Sequence, residues 1–212
     1  LVVFTFVAIF APILAPWDPY AVTPPIGLFA PSLNHWFGTD QTGRDLFSRI
    51  LYGATISMGI GISGSMLAAT ISSFLGTFSA FRLGKVDLVL QRFVDAVQAL
   101  PTLVLLLVAS FVFQRGPLTL VLLIGPLFGI RQSRVVRSAA ISVMQNEYVL
   151  GARAAGATDW RILTRYVIPN VFAPIMVLIT VDLGAIITNE ASLSFLGLGV
   201  LPPTITWGQM LG

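Results

Sequence analysis

The sequence predicts an all-α membrane protein, a polytopic bundle of helices, and three observations carry that prediction. Of the 212 residues, 56% are hydrophobic and only 10% charged, with a mean hydropathy of +0.88, far more apolar than an ordinary soluble domain. Charge-free runs recur between short polar stretches, and a membrane-crossing helix needs about 20 such residues. The basic residues gather in alternate connections, as expected if Lys and Arg in short loops stay on the cytoplasmic side. The formal net charge of +3 is explained by that placement, so no nucleic-acid partner is expected. The chain has no cysteine, which excludes disulfides, thiolate metal sites and cysteine nucleophiles.

The opening "LVVFTFVAIFAPILAP" reads as a first span, in preference to a signal peptide, because no basic region precedes it. In the segment that follows, "FGTDQTGRDLFSRI" offers Thr39 or Asp40 as a helix N-cap and Asp45 with Arg49 as an i,i+4 pair. His35, the only histidine, lacks partners for a metal site and reads as a surface or interface residue. No charge appears between Arg49 and Arg82, which makes this the clearest span. A third run covers 96–114, and a fourth runs from Gly116 to Ile130 and continues as helix into "RQSRVVRSAA". A fifth begins near Tyr166 and extends towards Thr188 through Pro169 and Pro174, which membrane helices tolerate when neighbours satisfy the freed carbonyls.

Arg82, Lys85 and Arg92 lie in one connection and Arg131, Arg134, Arg137, Arg153, Arg161 and Arg165 in another, against Arg44, Arg49 and Arg115 on the opposite side. This places the N-terminus in the cytoplasm and the 16–49 segment outside. Five spans would leave the C-terminus outside, so a sixth span is expected beyond residue 212. The organisation is a first span with its outer segment over 1–49, then a membrane domain over 50–212 carrying a cytoplasmic loop at about 145–168. Small residues at Gly53, Ser57, Gly61 and Ser65, and at Gly125 and Gly129, favour close approach of helix backbones.

That loop contains "LGARAAGATDWRILTRYVIP" (150–169). Residues from Glu147 to Ala155 favour helix, Gly156 can end it as a left-handed cap, and Thr158 can cap a second short helix with Asp159 at its positive end. On that second helix Trp160, Leu163 and Val167 share one face and Arg161 and Arg165 another. The residues alone fit an interfacial helix on anionic headgroups as well as they fit a surface that docks on a partner.

The same stretch resembles the cytoplasmic loop of bacterial ABC importer permeases, with its Glu-Ala-Ala, three residues, Gly, nine residues, Ile-x-Leu-Pro pattern. In register, Ala152, Gly156 and Pro169 match, Ile168 stands for the Leu, and Leu150, Gly151 and Tyr166 replace the Glu, the first Ala and the Ile. "HWFGTDQTGRDLFSRILYGATIS", "DAVQALPTLVLLL", "GARAAGATDWRILTRYVIPN" and "EASLSFLGLGVLPPTITWGQML" stand in the order found in the dipeptide, oligopeptide and nickel permease family, in its second permease subunit type.

The resemblance implies a type I ABC importer transmembrane domain in a bacterial or archaeal cytoplasmic membrane. It implies a permease that forms the path for peptides or a related solute delivered by an extracytoplasmic binding protein, and that pairs with a second permease subunit. Two ATPase subunits would hold ATP and Mg and carry out the hydrolysis, with no cofactor bound by this chain, which has no phosphate-binding loop and a single lysine, Lys85. The ATPase-coupling loop would comprise Glu147, Leu150, Gly151, Ala152, Gly156, Asp159, Arg161 and Pro169. Glu147 lies on nearly the same helix face as the absent family carboxylate and is a candidate substitute for it.

Asp182 and Glu190 are acidic residues in or beside a span and are therefore candidates for the translocation path. Each has a plainer reading: Asp182 in a polar seam between helices, Glu190 as the cap of a helix start. Two other classes share features with this sequence. Gly61-Ile62-Ser63-Gly64 reproduces a G-x-S-G serine motif, but His35 lies in the outer segment and the serine lacks a base. A stand-alone secondary transporter or channel fits the span count and is the alternative.

Overall fold

The computed structural model describes residues 1–22 and 26–211, and among these the chain is 73% helical with no strand. The helices are α1 (Val2–Leu14), α2 (Leu46–Arg82), α3 (Lys85–Ala99), α4 (Thr102–Val112), α5 (Pro117–Met144), α6 (Glu147–Ala154), α7 (Asp159–Ile162) and α8 (Ile168–Phe195). A π-helical turn, Leu163–Val167, joins α7 to α8, and a 3₁₀ turn covers Gln209–Leu211. Three runs are long and apolar enough to cross a membrane: Leu46–Arg82, Pro117–Met144 and the continuous Asp159–Phe195. At 1.5 Å per residue even the 28 residues of α5 exceed the roughly 30 Å of a hydrocarbon core. The apolar helix α1 has 13 residues.

The third expected span differs. Instead of one helix over the charge-free 96–114 run, α3 and α4 meet at a bend of 87°. Pro101 has no N–H to continue the ladder and disfavours helical backbone at the residue before it; Leu100 is extended at φ −93° and ψ 136°. Taken together, the bent pair counts as a fourth span. The fifth expected span is longer at both ends, since helix continues from Asp159 to Phe195 with Pro169 and Pro174 inside it.

The contacts divide the chain into two compact units. The first comprises Leu1–Ile62, Ser110–Leu120 and Ile187–Gly212. Here α1 is held to the start of α2 by the Thr55 hydroxyl, which donates to the Ala8 carbonyl at 2.8 Å. The expected N-cap at Thr39 or Asp40 is corrected to Asp45, whose carboxylate accepts the Ser48 amide at 2.7 Å one turn into α2. The expected Asp45–Arg49 pair is absent as well: Asp45 meets His35 Nδ1 at 2.8 Å, and Arg49 lies 3.5 Å from Asp40. Asp45 is the residue immediately before the helix, so its carboxylate turns to the first-turn amide and to His35 and away from Arg49 one turn on.

The second unit comprises Ser63–Ala109 and Val121–Ile186. Its centre is the crossing of α2 and α5. A methyl added at Gly129 would lie 2.7 Å from the Ala68 carbonyl and 2.8 Å from the Ile71 Cβ, so only glycine admits this backbone approach, as small-residue membrane packing predicts. A polar seam joins α3 to α5. Arg137 Nε donates to Asp87 at 2.6 Å, Arg134 pairs with Asp95, and Arg131 donates to the Leu100 carbonyl at 2.7 Å and to the Thr102 hydroxyl. Ser79, from α2, donates to the same Asp87 at 2.5 Å.

Candidate functional site

The loop between α5 and α8 is built around Gly156. Helix α6 ends in a Schellman motif: the Gly156 amide donates to the Arg153 carbonyl and the Ala157 amide to the Ala152 carbonyl, both at 3.0 Å. Gly156 sits at φ +83°, a left-handed conformation that glycine alone adopts without strain. Thr158 then caps α7, its hydroxyl accepting the Arg161 amide at 3.3 Å. The break expected from "GATD" is therefore present, atom for atom.

The second helix differs from the expected one. Trp160 does not share a buried face with Leu163 and Val167: it is 72% exposed, whereas Ile162 and Val167 are buried. The cause is the π turn at Leu163–Val167, whose i,i+5 repeat aligns Ile162 with Val167 and rotates Trp160 outward. Val149, Ile162, Val167 and Val171 pack with Ala80 of α2 and Ala140 of α5 in one apolar cluster. The loop is thus anchored from below by valine and isoleucine. Glu147, Leu150, Gly151, Gly156, Asp159, Arg161 and Pro169 are exposed and Ala152 is half-buried. Glu147, Leu150 and Gly151 occupy one outward face at i, i+3 and i+4. Arg153 and Asp159 approach across the glycine break to 3.8 Å.

Two acidic residues are buried within α8. Asp182 accepts a hydrogen bond from the Gln132 amide of α5 at 2.9 Å, inside the second unit. Glu190 lies in the first unit, one turn before the end of α8, and does not cap a helix start as its plainer reading supposed. It accepts from the Ser194 hydroxyl at 2.7 Å and from the Ser57 hydroxyl at 3.3 Å. Neither Ser57, Ser194 nor Gln132 was singled out for this from sequence, because the partners lie 133 and 50 positions away in two of the three pairs; the only local signal was the i,i+4 spacing of Glu190 and Ser194. Ser63 lies on an exposed face of α2.

The profile of the "Binding-protein-dependent transport system inner membrane component" family matches residues 70–212, the part of the chain that holds the loop together with Asp182 and Glu190. The chain belongs to that family. Over 99% of its length it is 36% identical to the oligopeptide transport system permease protein OppC of Bacillus subtilis strain 168, covering 69% of that protein. It is 36% identical to a putative peptide transport system permease protein of Brucella suis biovar 1, over 99% of this chain and 72% of that one. It is 34% identical to the di/tripeptide transport system permease protein DppC of Pseudomonas aeruginosa, over 100% and 72%.

As a member of this family the chain is a membrane-embedded permease component of an ABC importer, with a type I transmembrane domain, and ATP hydrolysis resides in separate subunits. Nothing in the fold or in these relatives favours the stand-alone transporter or channel.

Proposed function

We propose that this permease conducts peptides across a bacterial or archaeal cytoplasmic membrane, paired with a second permease subunit and fed by an extracytoplasmic binding protein. The substrate class follows the names of its relatives, which include oligopeptide, dipeptide and di/tripeptide transport permeases. Two ATPase subunits hold ATP and Mg and dock on the loop formed by Glu147, Leu150, Gly151, Ala152, Gly156, Asp159, Arg161 and Pro169. Residues 50–212 form the transport domain, the N-terminus is cytoplasmic, and Asp182 belongs to the translocation path.

One observation carries the docking assignment: a loop whose outer residues are exposed while Val149, Ile162 and Val167 are fully seated in an apolar cluster with α2 and α5. Such a loop moves as a rigid body with the helices it is packed against. A partner that makes different contacts with it in two nucleotide states therefore biases two arrangements of the membrane helices.

The test is affinity isolation of the membrane complex from cells expressing the full-length chain, with the co-isolated proteins identified. Wild type is expected to retain ATPase subunits. Gly156→Pro is expected to lose them, because proline cannot adopt φ +83° and removes the amide that closes the Schellman motif. Trp160→Asp alters only an exposed side chain and separates loss of docking from misfolding. ATPase recovered equally with all three would overturn the docking assignment.

A further inference from the structure

The C-terminal segment after α8 folds back onto the first unit, and its attachment converges on one carboxylate. Helix α8 ends in a second Schellman motif, with the Gly197 amide on the Ser194 carbonyl at 3.0 Å and the Leu198 amide on the Leu193 carbonyl at 2.8 Å. The chain then returns along α8 so closely that a methyl added at Gly208 would lie 2.4 Å from the Ala191 Cα. Two backbone amides of the returning segment end on serine hydroxyls. Val200 N–H donates to Ser194 Oγ at 3.4 Å and Trp207 N–H donates to Ser57 Oγ at 3.1 Å. Each of those hydroxyls gives its own proton to Glu190, Ser194 to Oε1 and Ser57 to Oε2.

A serine hydroxyl has one proton and two lone pairs. A lone pair is held on a backbone amide most firmly when the hydroxyl's orientation is fixed by a second partner. Glu190 is fully buried and supplies that second partner twice, in two directions. Chains of hydrogen bonds of this kind reinforce each other in a low dielectric.

We infer that Glu190 is a positioning residue that pins the 198–208 segment through two serine relays, one arm through Ser194 to Val200 and one through Ser57 to Trp207. The segment is held by the orientation of the two hydroxyls, and its apolar side chains Val200 and Ile205 are kept buried as a result. The inference concerns the fold of this chain and stands whatever solute the importer carries.

The chain has no cysteine, so single cysteines report the two arms separately. Val200→Cys, 6% exposed, reads the Ser194 arm and Ile205→Cys, 2% exposed, reads the Ser57 arm. The full-length protein is assayed in membrane vesicles with a water-soluble maleimide, and labelling of this chain alone is scored. In the Glu190→Leu background both positions are expected to label about tenfold faster, the factor set by the loss of one hydrogen bond. Ser194→Ala is expected to accelerate position 200 more than 205, and Ser57→Ala the reverse.

Glu190→Gln keeps an oxygen for one serine and offers N–H to the other, whose second lone pair is open, so most of the protection is retained. Leucine fills the same space as glutamine but orients neither hydroxyl. Equal labelling rates in Glu190→Leu and Glu190→Gln would therefore overturn the inference, since packing alone would explain the site. So would serine variants that accelerate both positions equally or neither. If Glu190→Leu does not accumulate in the membrane, the two serine variants decide between these outcomes.

Discussion

Asp40 shows how much a single side chain organises in the segment before α2. Its carboxylate accepts the Thr42 amide and hydroxyl at 2.8 and 2.7 Å, the Arg44 amide at 3.0 Å and the Arg44 Nε at 3.0 Å. Burial alone would raise its pKa, but the Thr42 and Arg44 hydrogen bonds and the Arg44 charge outweigh that and hold it below the ordinary 3.8. A carboxylate with a depressed folded-state pKa contributes stability that is complete above its unfolded value and is lost as pH falls through the folded value. The expected outcome is that amide exchange at Thr42 and Arg44 stays slow down to about pH 4 and accelerates only in the window below 3.8. Asp40→Asn is expected to be fast throughout and to lose that pH dependence. Hydrogen exchange on the purified protein measures both. The neighbouring capping role was misplaced from sequence because Thr39, Asp40 and Asp45 are all capping residue types; which one starts the helix depends on where the chain leaves the Gly43 turn, at φ +81°. Gly156 was legible because only one residue type suits a left-handed cap.

At the level of helices, apolar length was legible and direction was not. The absence of charge between Arg49 and Arg82 gave α2 almost to the residue, and "RQSRVVRSAA" was correctly read as a continuation of α5. The bend of α3 against α4 was hidden because a charge-free run conceals a proline that reorients it. The role of the α5 arginines was incomplete for a different reason. Arg131, Arg134 and Arg137 were counted as orientation signals, yet they also recur every three residues along one face of α5, while Asp87 and Asp95 lie on α3. No periodicity within either helix reveals that these faces meet. The Asp87–Arg137 pair is bidentate, joined through Nε and a second guanidinium nitrogen to both carboxylate oxygens. Such bidentate pairs couple more strongly than point contacts. A double-mutant cycle with Asp87→Asn and Arg137→Gln, read as thermal stability in detergent, is expected to give a coupling of about 1–3 kcal/mol. A coupling indistinguishable from zero would mean that apolar packing alone sets the α3–α5 contact. Ser79→Ala is expected to cost less, because it removes one of three donors to Asp87 and leaves the ion pair intact.

For the whole molecule the question is which way it lies in the membrane, and the charge argument can be sharpened with the structure in hand. Arg44 and Arg49 are paired with Asp40, and Arg115 donates to the Gly197 carbonyl at 2.7 Å, so all three basic residues assigned to the outer side are engaged by their own chain. On the other side Arg161 and Arg165 are exposed, on the loop proposed to meet the ATPase. The basic residues assigned to the outer side are thus engaged by their own chain while exposed arginines stand on the inner one, which supports the proposed orientation, with residues 16–49 outside. Single cysteines again give the measurement, since these 212 residues contain none. Leu33→Cys, at 96% exposure, is expected to react with an impermeant maleimide on intact cells. Leu83→Cys, exposed in the turn between α2 and α3, is expected to react only after permeabilisation, and the opposite pattern would invert the molecule. Trp160→Cys adds the step that links topology to coupling. It is expected to react after permeabilisation when the chain is expressed without ATPase subunits and to be shielded when they are present, whereas Leu83→Cys reacts equally in both. Equal reaction of Trp160→Cys in both preparations would leave the orientation standing and remove the loop from the docking surface.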